Sequence, residues 1–117
     1  MYKYKNKKVI VDGIGFDSKL ESNRYLELKL LEKAKEIKDL RMQVKFELQP
    51  KYKKNNKIIR AITYVADFVY YDLKKEKIIV EDTKGYKTEV YKMKKKMFEY
   101  KYPELEIKEI KREFYER

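Results

Sequence analysis

Residues 58–71 read IIRAITYVADFVYY, without glycine or proline and with β-branched or aromatic side chains at most positions. Such a run is a long and largely buried strand, and a strand of that kind commits the chain to a sheet with helices packed against it. Asp67 lies in its middle, beside Phe68 and Val69 and close to Ile62 and Val65. An acid inside a core strand asks for a partner, because an unpaired buried charge is poorly solvated.

The flanking sequence supplies the other elements. Residues 9–16 (VIVDGIGF) place β-formers on either side of Asp12-Gly13, the pattern of a short hairpin. Ser18 and Glu21 have capping-box spacing and open a helix predicted to run to about residue 38. Leu20, Leu26, Leu28, Leu30, Leu31, Ala34 and Ile37 fall on its broad apolar face, with Arg24 and Glu27 inside that face and Glu21 at its edge. Residues 41–48 alternate as a first strand closed by Pro50, and a basic turn at Asn55-Asn56 leads into the long strand. Residues 77–84 form a third strand, 88–102 a second helix ahead of Pro103, and 105–110 a last strand. The expected architecture is an α/β (α+β) fold with an αβββαβ core, a mixed central sheet flanked by helices, and an N-terminal hairpin. With 3 Gly, 2 Pro, no repeat and no linker, residues 1–117 read as a single domain.

Composition narrows the chemistry. The chain has no Cys and no His, which excludes disulfides, thiolate or imidazole zinc sites, and nucleophiles activated by histidine. Carboxylates, Lys, Tyr and a hard metal ion are left. The net charge of +11 is concentrated in residues 1–8, 51–60 and 86–101, interleaved with Tyr2, Tyr4, Tyr52, Tyr86, Tyr91 and Tyr100. Clustered positive charge with aromatic side chains fits a polyanion, above all nucleic acid, although a solubilising Lys-rich surface accounts for composition alone equally well. Lys53, Lys54, Lys57, Lys87 and Lys95, with Arg24 of the first helix, are the expected nucleic-acid contacts. No apolar run approaches 18 residues and no signal peptide is evident, so a cytoplasmic protein with no membrane partner is expected.

The third strand ends in Glu81-Asp82-Thr83-Lys84-Gly85. Two-residue alternation sends Asp82 and Lys84 to the face of Ile78 and Val80, and Glu81 to the other. Asp67, Asp82 and Lys84 then converge at adjacent strand ends. Neighbouring carboxylates need a cation, a shared proton or the Lys to neutralise them. Oxygen donors without imidazole suit Mg²⁺ or Mn²⁺. In the second helix Met93, Met97, Phe98, Tyr91 and Tyr100 define an apolar side, Lys92, Lys95 and Lys96 face outward, and Lys94 falls among the apolar residues. Lys94 either snorkels past them or reaches a bound phosphate.

This order of elements, with D…(D/E)-x-K, resembles the PD-(D/E)XK or restriction-endonuclease-like nuclease superfamily. FDSKLE (16–21), YVADF (64–68), EDTKG (81–85) and YKMKKKMF (91–98) are similar to the small phage-encoded members, some of them Holliday-junction-resolvase-like. The resemblance implies that Asp67 is the first motif acid, Asp82-Thr83-Lys84 the (D/E)-x-K, and Glu21 the glutamate of the first helix. It implies a Mg²⁺-dependent (or Mn²⁺-dependent) endodeoxyribonuclease of a bacterial host cytoplasm, acting on duplex or branched DNA. Asp67, Asp82 and the Thr83 carbonyl would hold the metal, Glu21 a second one, Lys84 would orient or deprotonate the attacking water, and Lys94 would reach the phosphate. Ala66 stands where the family often has Pro.

Each residue also has an ordinary reading: Glu21 as a capping acid, Asp67 as a satisfied structural carboxylate, Lys84 as the ion-pair partner of Asp82. The rival functions are a non-catalytic basic nucleic-acid-binding module, an RNase-H-like nuclease, in which Lys84 has no role, and a basic structural protein. A C2 homodimer would match the symmetry of duplex or four-way DNA, with Tyr70, Tyr71, Phe114 and Tyr115 as the expected patch.

Overall fold

The computed structural model describes residues 8–84 and 86–111. Strands β1 (Val9–Val11) and β2 (Ile14–Phe16) form the N-terminal hairpin, followed by helix α1 (Lys19–Lys33) and strand β3 (Ile37–Gln49). A second hairpin, β4 (Tyr52–Lys54) and β5 (Lys57–Ile59), precedes β6 (Ile62–Asp72), β7 (Lys77–Thr83), α2 (Glu89–Lys101) and β8 (Ile107–Ile110). The main sheet has the order β3-β6-β7-β8. Its first three strands are antiparallel neighbours, and β8 lies parallel to β7 after the crossover through α2. The fold is thus α+β with a mixed sheet, two helices and an N-terminal hairpin, in the order the sequence predicts. No helix among the described residues is long and apolar enough to cross a membrane.

The differences have local causes. Helix α1 stops at Lys33, short of residue 38: Lys35 turns left-handed (φ 63°) and the Glu36 amide reaches back to the Leu31 carbonyl. This is a Schellman-type ending made without glycine. It frees Ile37, expected in the helix, to begin β3. The face of α1 that packs inward carries Glu21, Ser22, Arg24, Tyr25 and Leu28, whereas Leu26 and Leu30 are exposed. A polar stripe lies inside because the sheet offers it ionic partners, which helical periodicity cannot register. The long strand expected over 58–71 is divided at Arg60-Ala61, and its first residues belong to the β4–β5 hairpin. Asn55 and Asn56 both take positive φ (50° and 62°) to close that hairpin's two-residue turn. Tyr70, expected in a dimer patch, is a core residue; Phe114 and Tyr115, like most of the basic segment 1–8, lie outside the described residues.

Two cores flank the sheet. On the α1 side Phe16, Tyr25, Leu28, Ile37, Phe68, Tyr70 and Ile79 pack together, and Tyr25 ties α1 to the hairpin by donating to Asp12 (3.0 Å). On the α2 side Tyr64, Ala66, Val69, Val80, Tyr91, Phe98 and Ile107 pack, with Phe46 edge-on to Phe98 at 4.9 Å.

The strands change face between these cores. Met42 and Phe68 pair and pack on the α1 side, yet Val44 and Ala66, which pair two residues along, pack on the α2 side. Regular alternation forbids this, since residues i and i+2 share a face. The inversion is accommodated at Gln43, whose backbone is left-handed (φ 52°) in the middle of β3, a conformation costing an L-residue about 1–2 kcal/mol. Gln43 and Asp67 stand at this point on the two strands.

Candidate active site

The ladder between β6 and β7 runs from Asp72↔Lys77 to Phe68↔Glu81. Beyond it the Thr83 amide and hydroxyl both donate to Asp67 Oδ2, each at 2.8 Å. The carboxylate therefore takes a backbone donor in the gap where the two strands part. Asp82, one residue earlier, is 3% exposed and accepts from the Tyr64 hydroxyl at 2.6 Å. Lys84 Nζ lies 3.5 Å from Asp82 Oδ1 and 4.1 Å from the centre of the Tyr91 ring, so the ammonium sits between a carboxylate and an aromatic face. Glu21 comes in from α1. Its Oε1 accepts from the Asp17 amide (3.3 Å) and its Oε2 from Gln43 Nε2 (3.0 Å), which also donates to Asp67 Oδ1 (3.3 Å).

Asp67 is the hub of this cluster. Burial, then the charge of Asp67, pushes the Asp82 carboxyl up to about 7, against the hydrogen bond from Tyr64 and the charge of Lys84. Burial and then Asp67 push Glu21 up to about 7 as well. Such crowding is relieved by a cation. Among the described residues no three acids form a ready-made cage, but Mg²⁺ needs only one or two carboxylates and otherwise keeps its waters. The donors present fit that ion: hard oxygens from Asp67 and Asp82, with Glu21 joined to Asp67 through Gln43.

One buried ion pair fixes α1 to β7. Arg24 Nε and Nη2 grip Glu81 Oε1 and Oε2 at 2.7 and 2.6 Å, its Nη1 holds Glu27 at 2.7 Å, and the Tyr70 hydroxyl donates to Glu81. Burial works against the Arg24 charge, but the bonds and charge of Glu81 and Glu27 outweigh it and hold the guanidinium firmly protonated. Glu21 lies almost one helical turn before Arg24, and Asp82 directly follows Glu81 in sequence. The pair therefore sets how the helix acid stands relative to the strand acid.

A family model described as "Protein of unknown function (DUF1064)" matches residues 1–116. The chain belongs to the DUF1064 family. No curated protein and no solved structure matches it.

Of the residues singled out in this DUF1064 sequence, Glu21, Asp67, Asp82, Thr83 and Lys84 come together. Arg24 does not serve as expected: at 3% exposure and bidentate to Glu81, it has no access to a nucleic-acid phosphate. Its place inside the helix face is the legible sign of this. Lys94 is half-buried on the α2 face that carries Tyr91 and Phe98, and makes no ion pair among the described residues. Lys87 pairs with Glu109 (2.8 Å) and Lys95 with Glu99 (3.5 Å), so both charges are partly answered within the fold. Lys53, Lys54 and Lys57 stand exposed on the β4–β5 hairpin. Sequence reasoning misses Tyr64 and Gln43. Tyr64 reads as one more aromatic strand residue, and Gln43 as a polar position in an alternating strand.

Proposed function

We propose that this DUF1064 protein is a divalent-metal-dependent deoxyribonuclease of the PD-(D/E)XK kind, hydrolysing phosphodiester bonds in duplex or branched DNA. The observation that carries this reading is the meeting of Asp67, Asp82 and Lys84 where β6 and β7 part, with Glu21 joined to Asp67 through Gln43. Asp67 and Asp82 would hold Mg²⁺ or Mn²⁺, which when bound neutralises phosphate charge and acidifies a water. Thr83 holds Asp67 in place through two hydrogen bonds, and the Tyr64 hydroxyl holds Asp82 through one. Lys84 offers a proton donor and a positive charge beside Asp82, suited to orienting water and to offsetting the charge that develops as the P–O bond breaks. The exposed lysines of the β4–β5 hairpin supply electrostatic attraction for the DNA backbone. A purely structural role for the acids is disfavoured, because a buried Asp82 beside Asp67 costs stability that an amide in its place would not.

The test is incubation of supercoiled plasmid and of a four-way junction with purified protein in Mg²⁺ or Mn²⁺, alongside Asp82→Ala. Metal-dependent cleavage by the native chain and none by the variant is the expected result. Equal cleavage by both would end the nuclease reading.

A further inference from the structure

Gln43 combines two observations that have no structural reason to coincide. Its backbone is held at φ 52° within a strand, a conformation that only Gly, and to a lesser degree Asn or Asp, adopts readily. Its side chain spends both amide hydrogens on carboxylates, 3.0 Å from Glu21 Oε2 and 3.3 Å from Asp67 Oδ1. Only one placement of the amide puts its donors against these acceptors. If residue 43 served only to invert the strand's face, Gly would do so without strain. A strained glutamine instead brings a neutral double donor between two like charges that belong to different elements, α1 and β6. It also lines an open cleft of about 260 Å³ with Glu21, Asp17 and Phe16. Strain of this kind persists where the surroundings enforce it, and it gathers at functional sites.

We propose that Gln43 is a positioning residue: its amide ties the carboxylate of Glu21 to that of Asp67 and sets the spacing at which the acids face a hydrated divalent cation. The catalytic consequence rests on the nuclease reading, whereas the bridge itself does not. The amide gives the two carboxylates, which come from different elements, one shared donor group. A shorter or absent side chain leaves the Glu21 carboxylate, among the described residues, with the Asp17 amide just ahead of its own helix.

Two measurements test this. In ¹⁵N-correlated spectra of the metal-free protein, the Gln43 side-chain NH₂ is expected away from the free-amide position and displaced in both Glu21→Ala and Asp67→Ala. An NH₂ at the free position, indifferent to both substitutions, would overturn the proposal. In kinetics with Mg²⁺, Gln43→Gly and Gln43→Asn, which both tolerate the positive φ, should keep or raise the melting temperature. Their kcat should fall by about 10–100-fold, with KM changed by less than about threefold. Native kcat in Gln43→Gly would show that residue 43 acts through its backbone alone and would overturn the proposal. If the native chain cleaves no DNA under any metal, the nuclease reading falls, and the amide resonance alone decides whether the bridge stands.

Discussion

Thr83 gives its backbone amide and its hydroxyl to one oxygen of Asp67, at 2.8 Å each. The motif strand thereby orients the acid of its neighbour directly, and Asp67 keeps Oδ1 toward Gln43. Thr83→Val removes one of the two bonds at nearly constant shape. It should lower kcat by about 10-fold and lower stability by no more than the roughly 1.5–3 kcal/mol that a charge-assisted bond is worth, because the amide bond to the same oxygen remains. Kinetics beside a thermal melt check this; native kcat in the variant would leave the hydroxyl without a role.

Metal dependence follows from the donor set. DNA cleavage should occur with Mg²⁺ or Mn²⁺ and cease in EDTA, while Ca²⁺ should support DNA binding with little turnover because of its looser coordination. A gel assay in each metal decides it, and full activity in chelator would contradict the mechanism.

In chelator, stability should fall as pH rises from about 4 to about 7. The folded-state Asp82 and Glu21 carboxyls are raised to about 7, so over that window the native state binds more protons than the unfolded chain and each pH step favours unfolding. Below the ordinary carboxylate range neither group contributes, and above about 7 the full penalty is present. Asp82→Asn should flatten the slope and stabilise the protein at pH 8 by on the order of 1 kcal/mol or more. Urea titrations of both proteins at pH 5 and pH 8 measure it; parallel profiles would mean that Asp82 is ionised without penalty.

Breaking the Arg24–Glu81 pair should be costly. Arg24→Ala strands the fully buried Glu81 and should cost about 3–5 kcal/mol, whereas Arg24→Met combined with Glu81→Leu should recover much of that. Chemical denaturation of the single and double variants tests this. A double variant that regains stability yet cleaves DNA poorly would mark the pair as the register of α1 on β7.

The hairpin lysines should govern salt dependence. Replacing Lys53, Lys54 and Lys57 by Gln is expected to reduce the slope of log K against log salt by about 2 to 3. Fluorescence anisotropy across salt concentrations reads it, and an unchanged slope would leave these residues as solubilising charge.

Residues whose role is written in local pattern are legible in the sequence itself. Asp12-Gly13 marks its turn, Ser18 its cap, and the order αβββαβ follows from period and breakers. The Asp67, Asp82 and Lys84 grouping is visible because an acid in a core strand violates patterning and strand parity sets which face its neighbours take. What stays hidden depends on contacts between distant segments. Arg24 is buried because Glu81, 57 residues away, receives it. Gln43 departs from alternation through a backbone inversion shared with Asp67, and a one-dimensional pattern carries no mark of it. The end of α1 at Lys33 uses a left-handed lysine where glycine would have announced the stop.

The parallel pairing of β8 with β7 has a consequence for biogenesis. Val80 to Thr83 pair with Ile107 to Ile110, and the Lys84 amide donates to the Ile110 carbonyl. During synthesis the strand bearing Asp82, with Lys84 just beyond its end, therefore remains an open sheet edge until residues 107–110 have emerged from the ribosome. A nascent chain can complete the pairing of β3 with β6, and of β6 with β7, well before that moment. Assembly of the acid cluster is in this way deferred until β8 has emerged, so a chain released before β8 would hold most of the sheet without a settled site.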